Sequence, residues 1–202
     1  LISALVREGR FHDAVGWFQR MLLEGRKPDR VCFVAVVGAY GGIGDLDKAK
    51  FIHGYLYRSG YEADIIVGTA LVNLYAKCGS FRNARLMIFE GIVERDIVAW
   101  NTMVAAYEAA GHFREAVHTF WQMRAESRVT PNRISFAAVL RACAGLQDLR
   151  QTERVHGLTM ELGMAGDEEV QASLVDAYLA CGSPSGALGI FGSMVSRPPR
   201  SW

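Results

Sequence analysis

"FHDAVGWFQRM" at residues 11–21 is nearly restated by "FREAVHTFWQM" at residues 113–123. Phe11, Ala14, Val15, Phe18 and Met21 of the first stretch line up with Phe113, Ala116, Val117, Phe120 and Met123 of the second. Spacings of i, i+3, i+4, i+7 and i+10 describe one apolar face of an α-helix. Ala187, Leu188, Phe191 and Met194 repeat four of the five positions. A second amphipathic segment precedes each such helix, for example Trp100, Met103, Val104 and Tyr107. Between the two segments stands a glycine (Gly9, Gly44, Gly79, Gly111, Gly182), and Gln147 alone breaks the set. Glycine suits the left-handed end of a helix, and Asp45, Ser80, Asp148 and Ser183, which follow it, suit the N-cap of the next. The spacing therefore predicts a helical hairpin.

Six such units tile the chain: 1–29, 30–64, 65–96, 97–132, 133–167 and 168–198, with 199–202 opening a further one. Neighbours differ, but each unit resembles the one three places on. "FIHGYLYRSGYEAD" (51–64) matches "RVHGLTMELGMAGD" (154–167), and "YAKCGS" (75–80) matches "YLACGS" (178–183). Cys78 and Cys181 are thus equivalent positions in successive copies of a three-unit block, not a catalytic pair. A single hairpin cannot bury its own apolar face, so consecutive hairpins are expected to stack into a solenoid with a continuous core. The recurring alanines Ala14, Ala49, Ala84, Ala116 and Ala187 suit close helix approach.

Composition narrows the function classes. Of 202 residues, 50% are hydrophobic and 21% charged, which is ordinary for a folded domain. A formal net charge of +1 argues against a strongly basic nucleic-acid clamp and leaves room for a local positive stripe. The longest uncharged run, Ala177 to Ser196, is broken by glycine, serine and Pro184, so no membrane span is expected. No secretory signal opens the chain, and both ends read as cuts through a longer protein, with any targeting peptide beyond them. Cys32, Cys78, Cys143 and Cys181 show no CxxC spacing and read as buried, reduced thiols. No HxE…CxxC, GxSxG or phosphate-cradling motif appears, so the expectation is a chain with no catalytic machinery, metal or cofactor. His53 and His156 read as packing residues.

Periods near 34 suggest tetratricopeptide repeats, but "WNTMVAAYEAAGHFREAVHTFWQM…TPN" at 100–132 and "LISALVREGRFHDAVGWFQRMLLEGRKPD" at 1–29 resemble the pentatricopeptide repeat family. "VGTALVNLYAKCGS" and "QASLVDAYLACGS" resemble the S motifs of its plant PLS subclass, and "IHGYLYRSG" and "VHGLTMELG" its L motifs. The order is then P (1–29, truncated), L (30–64), S (65–96), P (97–132), L (133–167), S (168–198), with "SW" starting another P unit. The resemblance implies an all-α, right-handed α-solenoid of stacked helix-turn-helix repeats that reads single-stranded RNA, one base per repeat.

The same resemblance implies the reading residues. The fifth and last positions of a unit select the base: Thr69 with Asp96 resembles the guanine combination, and Asn101 with Asn132 the pyrimidine one. Asp carboxylates only accept hydrogen bonds, and guanine offers donors on its pairing edge. Asp29 ends the truncated unit. The L units depart from the pattern with Val34 and Ala137 at the fifth position, although Asp64 and Asp167 remain; Ala172 and Pro198 in the last unit give no reading. Val31, Ile66, Val98 and Ile134 would sandwich bases, and Arg7 and Lys77 would face phosphates, whereas Gly42, Ala109, Gly145 and Ala180 at equivalent positions carry no charge. Taken alone, Asn101 and Thr69 read rather as helix caps or solvent-facing side chains, and Asp29, Asp64, Asp96 and Asp167 as turn residues; the shared frame reverses that reading for Thr69, Asp96, Asn101 and Asn132 only. The implied role is recognition of organellar transcripts, in mitochondrion or chloroplast, for processing or C-to-U editing, with a deaminase supplied in trans. The alternative is a protein-binding solenoid whose L units grip an editing cofactor protein.

Overall fold

The computed structural model describes residues 1–61, 64–89, 91–92, 95–126 and 129–195, the side chains of 86–88 and 193–195 excepted. Pro198 and the expected further unit at 199–202 lie outside the described residues. Every regular element among the described residues is helical: α1 (Ile2–Arg7), α2 (Phe11–Leu23), α3 (Arg30–Ile43), α4 (Leu46–Arg58), α5 (Ile65–Lys77), a π-helix (Asn83–Phe89), α6 (Ile97–Ala109), α7 (Phe113–Glu126), α8 (Arg133–Leu146), α9 (Leu149–Glu161), α10 (Glu168–Ala180) and α11 (Pro184–Val195).

The chain divides into two compact units, Leu1–Ala106 and Tyr107–Trp202. In the first, α1 packs on α2 and α3, and α3 packs on α2, α4 and α5. The first helices α1, α3 and α5 thus form a row, and the second helix of each hairpin backs its own partner. In the second unit, α8 packs on α7, α9 and α10, and α10 also packs on α9 and α11. These are the stacked hairpins that the repeat spacing predicts.

Burial follows the repeated face. Ala14, Phe18, Ala116, Phe120 and Met123 are buried, and the first helix of the next hairpin supplies the aromatic lid. The Phe18 and Phe33 rings lie 6.1 Å apart, and their equivalents Phe120 and Phe136 lie 5.8 Å apart. Phe191, at the same register of α11, is 55% exposed because no helix follows α11 among the described residues.

The turns match their predicted chemistry. Gly44 has φ 74°, and Gly9, Gly79, Gly111 and Gly182 are likewise positive. Gln147 adopts the same left-handed conformation, φ 54°, with a side chain that disfavours it. Asp45 caps α4 by accepting from the backbone N–H of Asp47 and Lys48, and Asp148 caps α9 by accepting from Gln151.

Two features differ from the sequence reading. Only Cys143 is buried, its thiol pKa pushed up to about 12 by desolvation; Cys32, Cys78 and Cys181 are half-buried. The other difference is the π-helix, where a second α-helix is expected. Asn83 begins it, and Gly186, 103 residues later, stands at the equivalent place in α11. A Cβ at Gly186 would come within 2.5 Å of the Tyr178 ring. Asn83 carries a Cβ where Gly186 has none, Tyr75 stands at the position equivalent to Tyr178, and the segment from Asn83 winds as the wider π-helix.

Candidate nucleic-acid interface

Apolar side chains recur, exposed, at the second residue of successive first helices: Val31 is 63% exposed, Ile66 46%, Val98 57% and Ile134 53%. A lone exposed aliphatic residue is ordinary, but four at one register are a pattern the core does not explain. In the first unit, Val31 of α3 and Ile66 of α5 line a groove of about 460 Å³ together with Val6, Arg7, Arg30, Val34 and Ala35.

Among the described residues, the last residue of a unit caps the helix that follows. Asp29 accepts from the Cys32 N–H at 2.7 Å, Asp64 from Ile66 and Val67, Asp96 from Ala99 at 2.8 Å, and Asp167 from Glu169 and Val170. All these bonds use Oδ1. For Asp96, Oδ2 takes no hydrogen bond among the described residues; for Asp64 it lies 3.8 Å from Arg30. One carboxylate can therefore cap a helix and still present an acceptor. The Cys32 N–H also holds the Asp29 carboxyl below its usual pKa.

Thr69 lies one turn into α5, half-buried, and its hydroxyl donates to the Ile65 carbonyl at 2.8 Å. With its proton engaged, Oγ1 faces its surroundings as an acceptor. Thr69 on α5 and Asp96 at the start of α6 thus each present an acceptor oxygen.

The remaining residues are held differently. Asn101 is 8% exposed, on α6 in the first unit. Asn132 forms a capping box with Ser135 at the start of α8 in the second unit, its Oδ1 accepting from the Ser135 N–H at 3.1 Å. Val34 lines the groove, whereas Ala137 is buried in α8. Arg7 and Lys77 are exposed in the last turns of α1 and α5. Gly42 and Gly145 have a packing reason to lack a side chain: a Cβ at either would come within 2.4 Å of the Phe11 or Phe113 ring.

Sequence reasoning missed several partners. His53 Nδ1 lies 3.0 Å from the Tyr75 hydroxyl, and His156 Nδ1 lies 2.9 Å from that of Tyr178. The spacing of 22 residues, repeated in both copies, is the signal that could have found them. Beside Asp96, the Arg95 guanidinium stacks over Phe89 at 4.9 Å and Trp100 at 5.3 Å, and its Nε donates to the Phe89 carbonyl.

Stacked hairpins with side chains repeated at one register define a helical-repeat protein. The chain belongs to the pentatricopeptide repeat family. The family's models match residues 95–145 (PPR repeat family) and residues 1–26 and 173–198 (PPR repeat), together about half the chain. Two chloroplastic pentatricopeptide repeat-containing proteins of Arabidopsis thaliana are 35% and 36% identical over 100% of this chain. The chain covers 25% and 23% of their lengths, about a quarter. Among solved structures, the maize pentatricopeptide repeat protein PPR10 superposes with a TM-score of 0.72 at 22% identity, over 97% of this chain and 28% of that one. PPR10 in complex with an 18-nt psaJ RNA element gives the same TM-score at 19% identity, over 97% and 29%.

Proposed function

We propose that this chain reads single-stranded RNA, one base per hairpin, as part of a PLS-type site-recognition factor for organellar RNA processing or C-to-U editing. What supports the reading is that Thr69 and Asp96 each present an acceptor, in units whose first helices carry the exposed apolar residues Ile66 and Val98 at one register. A base between two aliphatic side chains gains van der Waals contact on both faces, while its edge meets the two acceptors. Guanine, with N–H donors on that edge, fits best; the family resemblance alone assigns the following pyrimidine to Asn101 and Asn132, whose amides can donate and accept. The readable element is 5′-G-(C or U)-3′. Asp29, with its Oδ1 engaged in capping α3, ends the preceding unit as the same kind of acceptor.

Arg7 and Lys77 supply the phosphate contacts. With few such cations, affinity should be modest and fall with salt. PPR10 is a family member solved with RNA, and two relatives carry chloroplastic names, which supports an organellar transcript in chloroplast or mitochondrion. An editing activity would come from elsewhere in the protein or from a deaminase in trans. A second reading has its own support: Phe51 and Tyr57 on α4 and Met160 on α9 are more than half exposed, on the second helices of the units assigned as L. An editing cofactor protein would dock there.

Gel-shift titration against short single-stranded RNAs tests the reading. Oligonucleotides carrying the G-pyrimidine step should bind more tightly than those with A, C or U in place of G. Equal binding to all sequences, or none, overturns it.

A further inference from the structure

We infer that Arg95 is a positioning residue for base selection: clamped over two buried rings, it holds the backbone that carries Asp96 and so fixes where the second carboxylate oxygen of that residue points. The inference rests on the Thr69–Asp96 reading above and names the side chain on which its selectivity depends.

Three anchors fasten the approach to Asp96. The Phe89 carbonyl, at the end of the π-helix, accepts from the Ile92 N–H at 3.3 Å and from Arg95 Nε at 3.0 Å. The Ile92 side chain lies against Gly68, where a Cβ would come within 3.3 Å of it, and Gly68 is the neighbour of Thr69 on α5. The Arg95 guanidinium lies over Phe89 and Trp100, both buried and themselves edge to face at 4.9 Å. A planar cation on ring faces is held in orientation as well as in place. Asp96 follows directly and is exposed, its Oδ1 on the Ala99 N–H and its carbonyl accepting from the Trp100 N–H at 3.2 Å. Trp100 thus meets both residues, Arg95 through its ring and Asp96 through its backbone. Cap and clamp together leave the carboxylate little freedom, and Oδ2 points where the held backbone sends it.

Among the units that keep a fifth residue and end in Asp or Asn, the residue before the end follows the same division as the fifth position. The units with Thr69 and Asn101 place Arg95 before Asp96 and Pro131 before Asn132. Stacking restrains the first, and its own ring restrains the second. The units with Val34 and Ala137 place Ala63 before Asp64 and Gly166 before Asp167. Neither carries a side chain long enough to stack on a ring, and glycine leaves its backbone the widest choice of conformation. A stiff approach stands where there is a polar pair to align.

The test is fluorescence-anisotropy titration of the full 202-residue chain with labelled RNAs carrying G, A, C, U or an abasic nucleotide at the position assigned to Thr69 and Asp96. Arg95→Met keeps an unbranched side chain over the rings and removes the charge and the Nε donor. Its preference for G should drop about tenfold, the scale of one misaligned hydrogen bond, while the abasic RNA binds as it does to the unaltered chain. Ile92→Ala, which releases the same approach from α5, should lower the preference in the same direction. Unchanged preference for G in either variant overturns the inference. Equal weakening towards all five RNAs in Arg95→Met, the abasic one included, also overturns it, because a lost fold or a lost backbone contact acts on every RNA alike. No preference for G in the unaltered chain removes the Thr69–Asp96 reading, and the inference with it.

Discussion

His53 and Tyr75 form a clamp between α4 and α5, and the chain builds it twice: the rings meet edge to face at 5.6 Å here and at 5.7 Å for His156 and Tyr178. The imidazole nitrogen and phenol oxygen are within hydrogen-bond distance in both copies. Each clamp fastens the second helix of one hairpin to the first helix of the next, the joint along which consecutive hairpins keep their register.

Burial pushes the pKa of both histidines below the ordinary value of 6.5, so the fold favours the neutral ring. Below about pH 6.5 the unfolded chain binds more protons than the folded one. The clamps therefore contribute fully above that pH, and their contribution is lost as pH falls towards the lower folded values. Urea midpoints should drop between pH 7.5 and 5, and His53→Gln with His156→Gln should flatten the drop. Asp29 and Asp45, whose carboxyl pKa values are also lowered, act in a separate window below about pH 4. An unchanged pH profile in the double variant would rule the clamps out as its source.

Gln147 occupies the left-handed turn position that glycine fills between the other hairpin helices. Gln147→Gly should raise the stability of the chain by about 1 kcal/mol, and Gly44→Ala should lower it by a similar amount. Denaturant titrations of the two variants should move in opposite directions.

Gly186→Ala places a methyl against the Tyr178 ring, and Gly42→Ala and Gly145→Ala do the same against Phe11 and Phe113. Each should cost about 1–3 kcal/mol in thermal or urea unfolding, as overpacking does elsewhere. Phe11 and Phe113 are partly exposed and have room to swing, so the loss at Gly186 should be the largest.

The contrast between the two S-type second helices makes a structural prediction. Asn83→Gly should let the segment at 83–89 wind as an α-helix, as α11 does with Gly186. A crystal structure of the variant that still shows the π-helix would remove the side chain at 83 as its cause.

Hairpin spacing, turn glycines and the buried face were legible because they repeat: Phe18 and Phe120 occupy one environment and carry one residue. The Asp residues at the unit ends were legible as turn residues or, by resemblance, as readers; the structure shows them capping helices through Oδ1. What periodicity does not carry is contact between helices of different hairpins. His53 taken in one copy gives no hint that Tyr75 lies opposite; only the repeated 22-residue spacing does. Gly42 looks like a lost cation until the Phe11 ring is seen against it. The π-helix from Asn83 was opaque because the apolar spacing of the segment is the same as in the α-helical second helices.

The proposed selection of a base by Thr69 and Asp96 is open to one direct measurement. Thr69→Asn with Asp96 retained replaces a hydroxyl that presents an acceptor by an amide that also donates. Competition binding with RNAs differing only at that nucleotide should show preference moving from G towards U. Preference that stays with G in the variant, or that is absent from the unaltered chain, would contradict the account.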